Sequence, residues 1–262
     1  MAEIRERLRT LAESLPPITL EEMADIRLMN RTDTKFVTDL PTLARLLELV
    51  RGNYYSQETC GHRLSPYATV YWDSPEEHAM FRTHVCGHTP RVKIRVRTYL
   101  DSHHSFLEIK KKDNHGETSK VRIGVPSVSA VMKDGAGADF LAEQSGYTFA
   151  DIIPTLGNSF RRITLVNLAR TERLTIDFDL TFHNYETGAS ASMDNIAVIE
   201  LKRDGRAPSP VLDLLRQLHI KPSGFSKYCV GTSLTNPALR RNRLKPRLRK
   251  IQKIATHNLT SP

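Results

Sequence analysis

The segment Arg91-Val92-Lys93-Ile94-Arg95-Val96-Arg97-Thr98-Tyr99, followed after a short polar turn by Phe106-Leu107-Glu108-Ile109-Lys110-Lys111-Lys112, decides how this chain folds. In the first half Arg91, Lys93, Arg95 and Arg97 alternate with Val92, Ile94 and Val96. That is the period of a strand with one cationic and one apolar face. In the second half Leu107 and Ile109 face the core if Glu108, Lys110 and Lys112 lie beside the first strand's basic row. The intervening residues 101–105 suit an antiparallel hairpin. A second polar turn, Asp113-Asn114-His115-Gly116-Glu117, leads to a third strand with Lys120 and Arg122 opposite Val121 and Ile123. Three neighbouring strands would then carry eight cations and one carboxylate, Glu108, on one surface. Like charges side by side repel, so an anion is expected there. The alternative is a half-buried sheet whose water-facing side is rich in Lys and Arg, although such faces ordinarily mix both signs.

Working outward, 262 residues with 39% hydrophobic and 26% charged content make a globular chain able to bury a sizeable core. No run approaches the roughly 18 apolar residues that span a membrane, and the first residues lack the apolar stretch of a secretion signal. Three cysteines, Cys60, Cys86 and Cys229, fit a reducing compartment, so a soluble cytoplasmic protein is expected. Cys60-Gly61-His62 and Cys86-Gly87-His88 could make a zinc site, but their spacing is tighter than the usual chelate. Of the net charge of +9, eight cations lie between Arg240 and Lys253 with no acid after them, leaving +1 for the rest. A near-neutral body with cations sorted onto particular strands points to a local anion site. The tail itself reads as a solvated extension, with polyanion or membrane-surface contact as the next reading.

In chain order, Ile4, Leu8, Leu11 and Leu15 predict an amphipathic helix stopped by Pro16-Pro17. Residues 31–37 read as a strand with Arg31, Asp33 and Lys35 on one face, and 41–50 as a helix. Tyr67 to Trp72 is a strand, and Asp73 or Ser74 would cap a helix opened by Pro75 and running to about His84. One helix is expected near 139–144, a hairpin over 160–166 and 173–180, a strand over 196–202 and a helix from Ser209-Pro210, with Phe225-Ser226-Lys227-Tyr228 closing the ordered chain. The result is an α+β fold of about eight mostly antiparallel strands. Helices with apolar stripes must cover apolar strand faces, so a curled sheet would turn its charged faces inward. An interior lined by Lys and Arg is costly without a polyanion or water inside it. A linear run of phosphates fits, and carboxylates on the same faces, Glu108 and Glu200 above all, could hold Mn²⁺ or Mg²⁺.

Taken together, Arg31-Thr32-Asp33-Thr34-Lys35-Phe36, Tyr71-Trp72-Asp73-Ser74-Pro75, Lys93-Ile94-Arg95-Val96-Arg97, Leu107-Glu108-Ile109-Lys110, Val198-Ile199-Glu200-Leu201-Lys202 and Ser226-Lys227-Tyr228 resemble the VTC domain of polyphosphate polymerases. That domain sits within the CYTH-like triphosphate tunnel enzymes. The resemblance covers roughly residues 30–231 and divides the chain into an N-terminal helical segment (1–29), a tunnel domain (30–235) and a basic tail (236–262). It implies an antiparallel tunnel barrel with a charged interior and helices outside. Such a barrel would move the terminal phosphoryl group of a nucleoside triphosphate such as ATP onto a polyphosphate chain. It further implies catalytic roles for Arg95, Arg97, Lys110 and Lys227. Substrate contacts would come from Lys35, Lys93, Lys112, Lys120, Arg162, Arg173, Lys202 and Ser226, and Glu200, with Glu108, would hold the metal. Two departures stand out. Tunnel triphosphatases open with alternating glutamates ahead of a lysine, whereas this chain has Arg31-x-Asp33-x-Lys35, and the membrane segments and sensor domain of eukaryotic members are not seen. The rival expectations are a tunnel triphosphatase or polyphosphatase, and a non-enzymatic barrel binding polyanion or nucleic acid through its exterior and its tail. Aromatic residues for base stacking are sparse on the basic strands.

Overall fold

The computed structural model describes residues 1–24, 26, 31–205 and 208–256. The boundary expected at 29/30 lies outside the described residues. The N-terminal part forms α1 (Ala2–Glu13), β1 (Pro17–Ile18), α2 (Leu20–Ala24), β2 (Arg31–Thr38), α3 (Leu40–Leu49), β3 (Tyr54–Gln57), β4 (Ser65–Asp73) and α4 (Ala79–Cys86). The alternating basic stretch from Arg91 onward forms β5 (Arg91–Tyr99), β6 (His104–Lys112) and β7 (Thr118–Val125). Then come α5 (Gly135–Ser145), β8 (Ile153–Asn167), β9 (Glu172–Asn184), β10 (Ser190–Met193), β11 (Ala197–Asp204), α6 (Pro210–Gln217), α7 (Lys227–Thr235) and α8 (Lys245–Thr256).

Eight strands pair in the order β2-β11-β9-β8-β4-β5-β6-β7, every neighbour antiparallel. Residues from all eight line a single cavity, so the sheet curls into a half-barrel with β2 and β7 at its edges. The alternation of β5 sets which way its side chains go. Ile94 and Val96 are fully buried on the outer face with Leu107 and Ile109 of β6. Leu8 and Leu11 of α1, Leu43, Leu46 and Leu47 of α3, and Val211 and Leu215 of α6 cover Phe36, Ile163, Leu165, Leu174, Ile176, Ile199 and Leu201 from outside. Each such buried aliphatic chain contributes about 1.5–3 kcal/mol, enough to fix the charged faces inward. The α+β architecture with helices outside matches the expectation.

One helix takes the other side. Tyr71 pairs with Arg95 and with Leu156, so all three share the concave face. Tyr71 stacks on Tyr228 of α7 with ring centroids 5.1 Å apart, and a Cβ added at Gly231 of α7 would come within 2.8 Å of Leu156. α7 therefore seats inside the curl and closes one end of it. The sequence predicts an ordered chain closing at Tyr228, whereas α7 runs on to Thr235 and α8 follows. α7 escapes periodicity because it is buried on nearly all sides.

Other expectations shift. The helix predicted from Pro75 begins at Ala79, because the Asp73 carboxylate reaches past the turn to accept from the Met80 and Phe81 backbone N–H groups, both at 2.8 Å. The helix predicted at 139–144 extends over Gly135–Ser145. Arg122 takes the inner face as expected, opposite Glu108, but it is exposed outside the cavity lining and lies over the Phe106 ring at 4.5 Å. The tail is not a solvated extension over its described residues: Leu244 and Ile251 are buried, and Leu248 and Ile254 pack on the same core. Cys60 is exposed and Cys86 half-buried, and among the described residues no three His, Cys, Asp or Glu side chains gather as a metal site. No helix among the described residues is long and apolar enough to cross a membrane.

Candidate anion-binding bore

The concave face encloses a cavity of about 340 Å³. β5 contributes Lys93, Arg95 and Arg97, β6 Lys110, β7 Lys120, β8 Arg162, β9 Arg173, β11 Lys202, β2 Lys35 and the start of α7 Lys227. Asp33, Glu108, Asp177 and Glu200 are the carboxylates of the lining, leaving an excess of six positive charges over ten cations and four acids. Ten of the eleven cations picked out in the sequence, together with Ser226, meet here. Lys112 does not: it stands at the strand end opposite Arg91 and lines a separate outer cleft with Lys111 and Tyr147.

The cations are held in groups. Glu108, 2% exposed, accepts from Arg95 Nε at 2.7 Å and also pairs with Lys120. Asp177 takes a bidentate contact from Arg162, at 2.6 and 2.8 Å, and a further one from Lys227. Lys202 donates to Glu200 at 3.0 Å and to the Thr175 hydroxyl at 3.4 Å. At the closed end, the Phe225 carbonyl accepts from Lys35 Nζ at 3.1 Å, and the Ser226 hydroxyl from Lys93 Nζ at 3.3 Å. Ser226 also caps α7 by accepting from the Cys229 N–H. Arg97 differs. It is 7% exposed, its nearest polar contact is the Thr69 hydroxyl at 3.5 Å, and it lies over the Tyr67 and Phe160 rings.

Crowding of like charge in a desolvated space sets the electrostatics. Burial, helped by Lys35, Arg95 and Lys110, pulls the Lys93 ammonium down to about 7. Burial takes Lys227 to about 8 against the counter-pull of Asp177. Burial and the neighbouring Arg95 and Arg162 lower Arg97 as well. For the acids, burial alone would raise Glu200, but Lys202 and Lys35 overcome it and hold it at about 2. Glu108 is held at about 2 in the same way, by Arg95, Arg97 and Lys120. Both are fully ionised at neutral pH.

Those two carboxylates differ in what they can hold. Glu108 is taken up by two cations, an arrangement that orients Arg95 and Lys120 rather than ligating a metal. Glu200 faces the bore with one lysine partner, and Asp33 lies diagonal to it across the β2–β11 pair, where Glu200 stands opposite Lys35 and Asp33 opposite Lys202. A carboxylate pair beside a row of cations has the donor set of a Mg²⁺ or Mn²⁺ site, since these ions bind one or two carboxylates together with phosphates. Sequence reasoning passed over Asp33, Tyr71, Tyr99 and Asp177 as site residues. Asp177 was visible on the charged face of its strand beside Thr175 and Arg173, but its pairing with Arg162 needs the register of β8 against β9.

Solved structures of similar fold include a protein from Bacillus halodurans provisionally named an adenylate cyclase. It is 12% identical, with a TM-score of 0.49, and the match covers 76% of this chain and 96% of that one. Another is an adenylyl cyclase-type protein from Hippeastrum, described as having a dominant triphosphatase activity. It is 15% identical, with a TM-score of 0.49, and the match covers 79% of this chain and 97% of that one. A conserved hypothetical protein from Pyrococcus furiosus is 10% identical with a TM-score of 0.42, covering 76% of this chain and 99% of the other. No curated protein matches the chain. The family model of the VTC domain matches residues 30–236, and the chain belongs to the VTC domain family.

Proposed function

We propose that the chain is a polyphosphate polymerase-type phosphotransferase, moving the terminal phosphoryl group of a nucleoside triphosphate, ATP in the first instance, onto a polyphosphate chain within the bore. The observation that carries this is the convergence of ten cations from seven strands and α7 on one cavity with, among the described residues, only four carboxylates. An enclosed row of that kind suits a thin anion that accepts hydrogen bonds along its length. Arg97, buried with no carboxylate in contact among the described residues, supplies a point where a phosphate would add counter-charge to that of the more distant Glu108. A terminal oxygen of the acceptor chain attacks the γ-phosphorus in line, a new P–O–P bridge forms, and the bridge to the β-phosphate breaks to release the nucleoside diphosphate. Arg95, Arg162 and Lys227, fixed by Glu108 and Asp177, hold the phosphates in that alignment and spread the developing charge. Glu200, with Asp33 diagonal to it, would hold a divalent ion, which when bound would supply positive charge against the phosphates.

Incubation of the full chain with ATP and Mn²⁺ or Mg²⁺, followed by sizing of phosphate polymer, tests the reading. Long-chain product that disappears in Arg95→Ala supports it. Free phosphate alone assigns the bore to triphosphate hydrolysis, and an unchanged rate in Arg95→Ala excludes this site.

A further inference from the structure

The concave face changes its chemistry along its length. On β5 the inward positions run Lys93, Arg95, Arg97 and then Tyr99, and on β6 they run Lys110, Glu108 and then Phe106. Lys93 reaches Ser226 at the end that α7 closes. Tyr99, six residues further along the strand and about 20 Å away at the rise of an extended chain, stands at the opposite end. Cations give way there to rings. Tyr99 lines the bore, and its ring centroid lies 5.0 Å from that of Tyr67 and 5.8 Å from that of Phe106. The Arg97 guanidinium lies over Tyr67 at 5.7 Å, so the rings meet the row of cations at Arg97. Tyr67 is buried and stacked on Phe160 at 5.2 Å, as part of the wall. Tyr99 and Phe106 are only half-buried, and among the described residues Phe106 joins none of the apolar cores. Its other neighbour is the exposed Arg122, whose guanidinium lies over the ring at 4.5 Å. Two partly exposed rings and a guanidinium at the end of an anion-binding bore present the flat, polarisable surfaces on which a nucleobase stacks.

We propose that Tyr99, Phe106 and Arg122 form a nucleobase seat at the end of the bore away from α7, holding the base of a nucleoside triphosphate while its phosphates lie along Arg97 and Arg95. The inference rests on the bore reading, since it is the neighbouring phosphate row that makes the ligand a nucleotide rather than another planar molecule. Stacking accepts every base, because each has a π face. The seat therefore gives nucleoside triphosphates an affinity that bare triphosphate lacks, with purines, which offer the larger face, favoured over pyrimidines.

The test measures binding of ATP, UTP and inorganic tripolyphosphate, in one buffer, to the wild-type full chain and to Tyr99→Leu, Tyr99→Phe and Arg122→Gln, the last at an exposed position. The expected result is that the ratio of ATP to tripolyphosphate affinity falls about tenfold in Tyr99→Leu, falls by less in Arg122→Gln and is kept in Tyr99→Phe, which retains the ring. The preference for ATP over UTP should shrink in step with that ratio. An unchanged ratio in both Tyr99→Leu and Arg122→Gln overturns the proposal. So does an equal loss of all three ligands in Tyr99→Leu with no change in Arg122→Gln, which would assign the ring to holding the strands together. Wild-type chain that binds tripolyphosphate but no nucleotide overturns the seat and leaves phosphate binding in the bore standing. Wild-type chain that binds none of the three overturns the bore reading itself.

Discussion

Glu108 and Asp177 work as fixings for the cations of the bore, and that role is specific enough to test residue by residue. Replacing Glu108 with Gln removes the charge that aims Arg95 and Lys120 while leaving the bore more positive. Phosphate binding should be kept or strengthened while turnover falls on the order of 10²-fold, the scale of a small misplacement of aligned groups. A steady-state comparison of kcat and KM checks the split, and a parallel rise in KM would contradict it. Arg97 poses a different case, a buried guanidinium with no ion-pair contact among the described residues, drawn on by Glu108 only at longer range. Arg97→Met should stabilise the ligand-free protein by about 1 kcal/mol or more and abolish tripolyphosphate binding, read by denaturant unfolding and titration. Much of this was legible early: strict alternation of Arg95, Arg97 and Lys93 with Ile94 and Val96 fixes which side they take. The division of labour between Glu108 and Glu200 was not, because both read alike as lone acids on basic faces. Only the register shows one enclosed by two cations and the other beside Asp33.

At the scale of elements, the hairpins of β5, β6 and β7 follow from period-two alternation and polar turns, and the helices α1, α3 and α6 from apolar stripes. The failures have a shared cause. α7 has no stripe because sheet, α4 and the bore surround it, so its sequence Lys227-Tyr228-Cys229-Val230-Gly231-Thr232 carries no amphipathic signal. α8 has a stripe, Leu248, Ile251 and Ile254, hidden under a cation count that suggests solvated chain. Gly231 sits close against the sheet, where an added Cβ would meet Phe182 and Leu156. Gly231→Ala should cost about 1–3 kcal/mol through overpacking, despite the usual helical advantage of alanine. A rise in melting temperature for that variant would show that α7 is not seated on the concave face.

For the molecule as a whole, one consequence of an overcharged interior is a stability that depends on pH at both ends. Glu108 and Glu200 titrate at about 2 when folded, below the range of about 4.3 for an unfolded glutamate. Their contribution is present above that range and is lost as pH falls toward 2. Lys93 and Lys227 are depressed to about 7 and 8, so above neutrality the unfolded chain binds more protons than the folded one. Ligand-free stability should therefore rise from near neutral pH until the unfolded lysines titrate near about 10.4. Urea unfolding across pH checks both limbs, and a flat alkaline limb would contradict the crowding of cations.

The same protons give the most direct access to the bore. A phosphate chain entering it restores the charge on Lys93 and Lys227, so binding near neutral pH must draw protons from solution. Calorimetric titration of tripolyphosphate into the full chain, in buffers of differing ionisation enthalpy, measures that uptake. Stoichiometric binding accompanied by net proton uptake, absent in Arg97→Met, is the predicted result. Binding without proton uptake, or binding retained in that variant, would place the phosphate elsewhere than among the inward-facing cations.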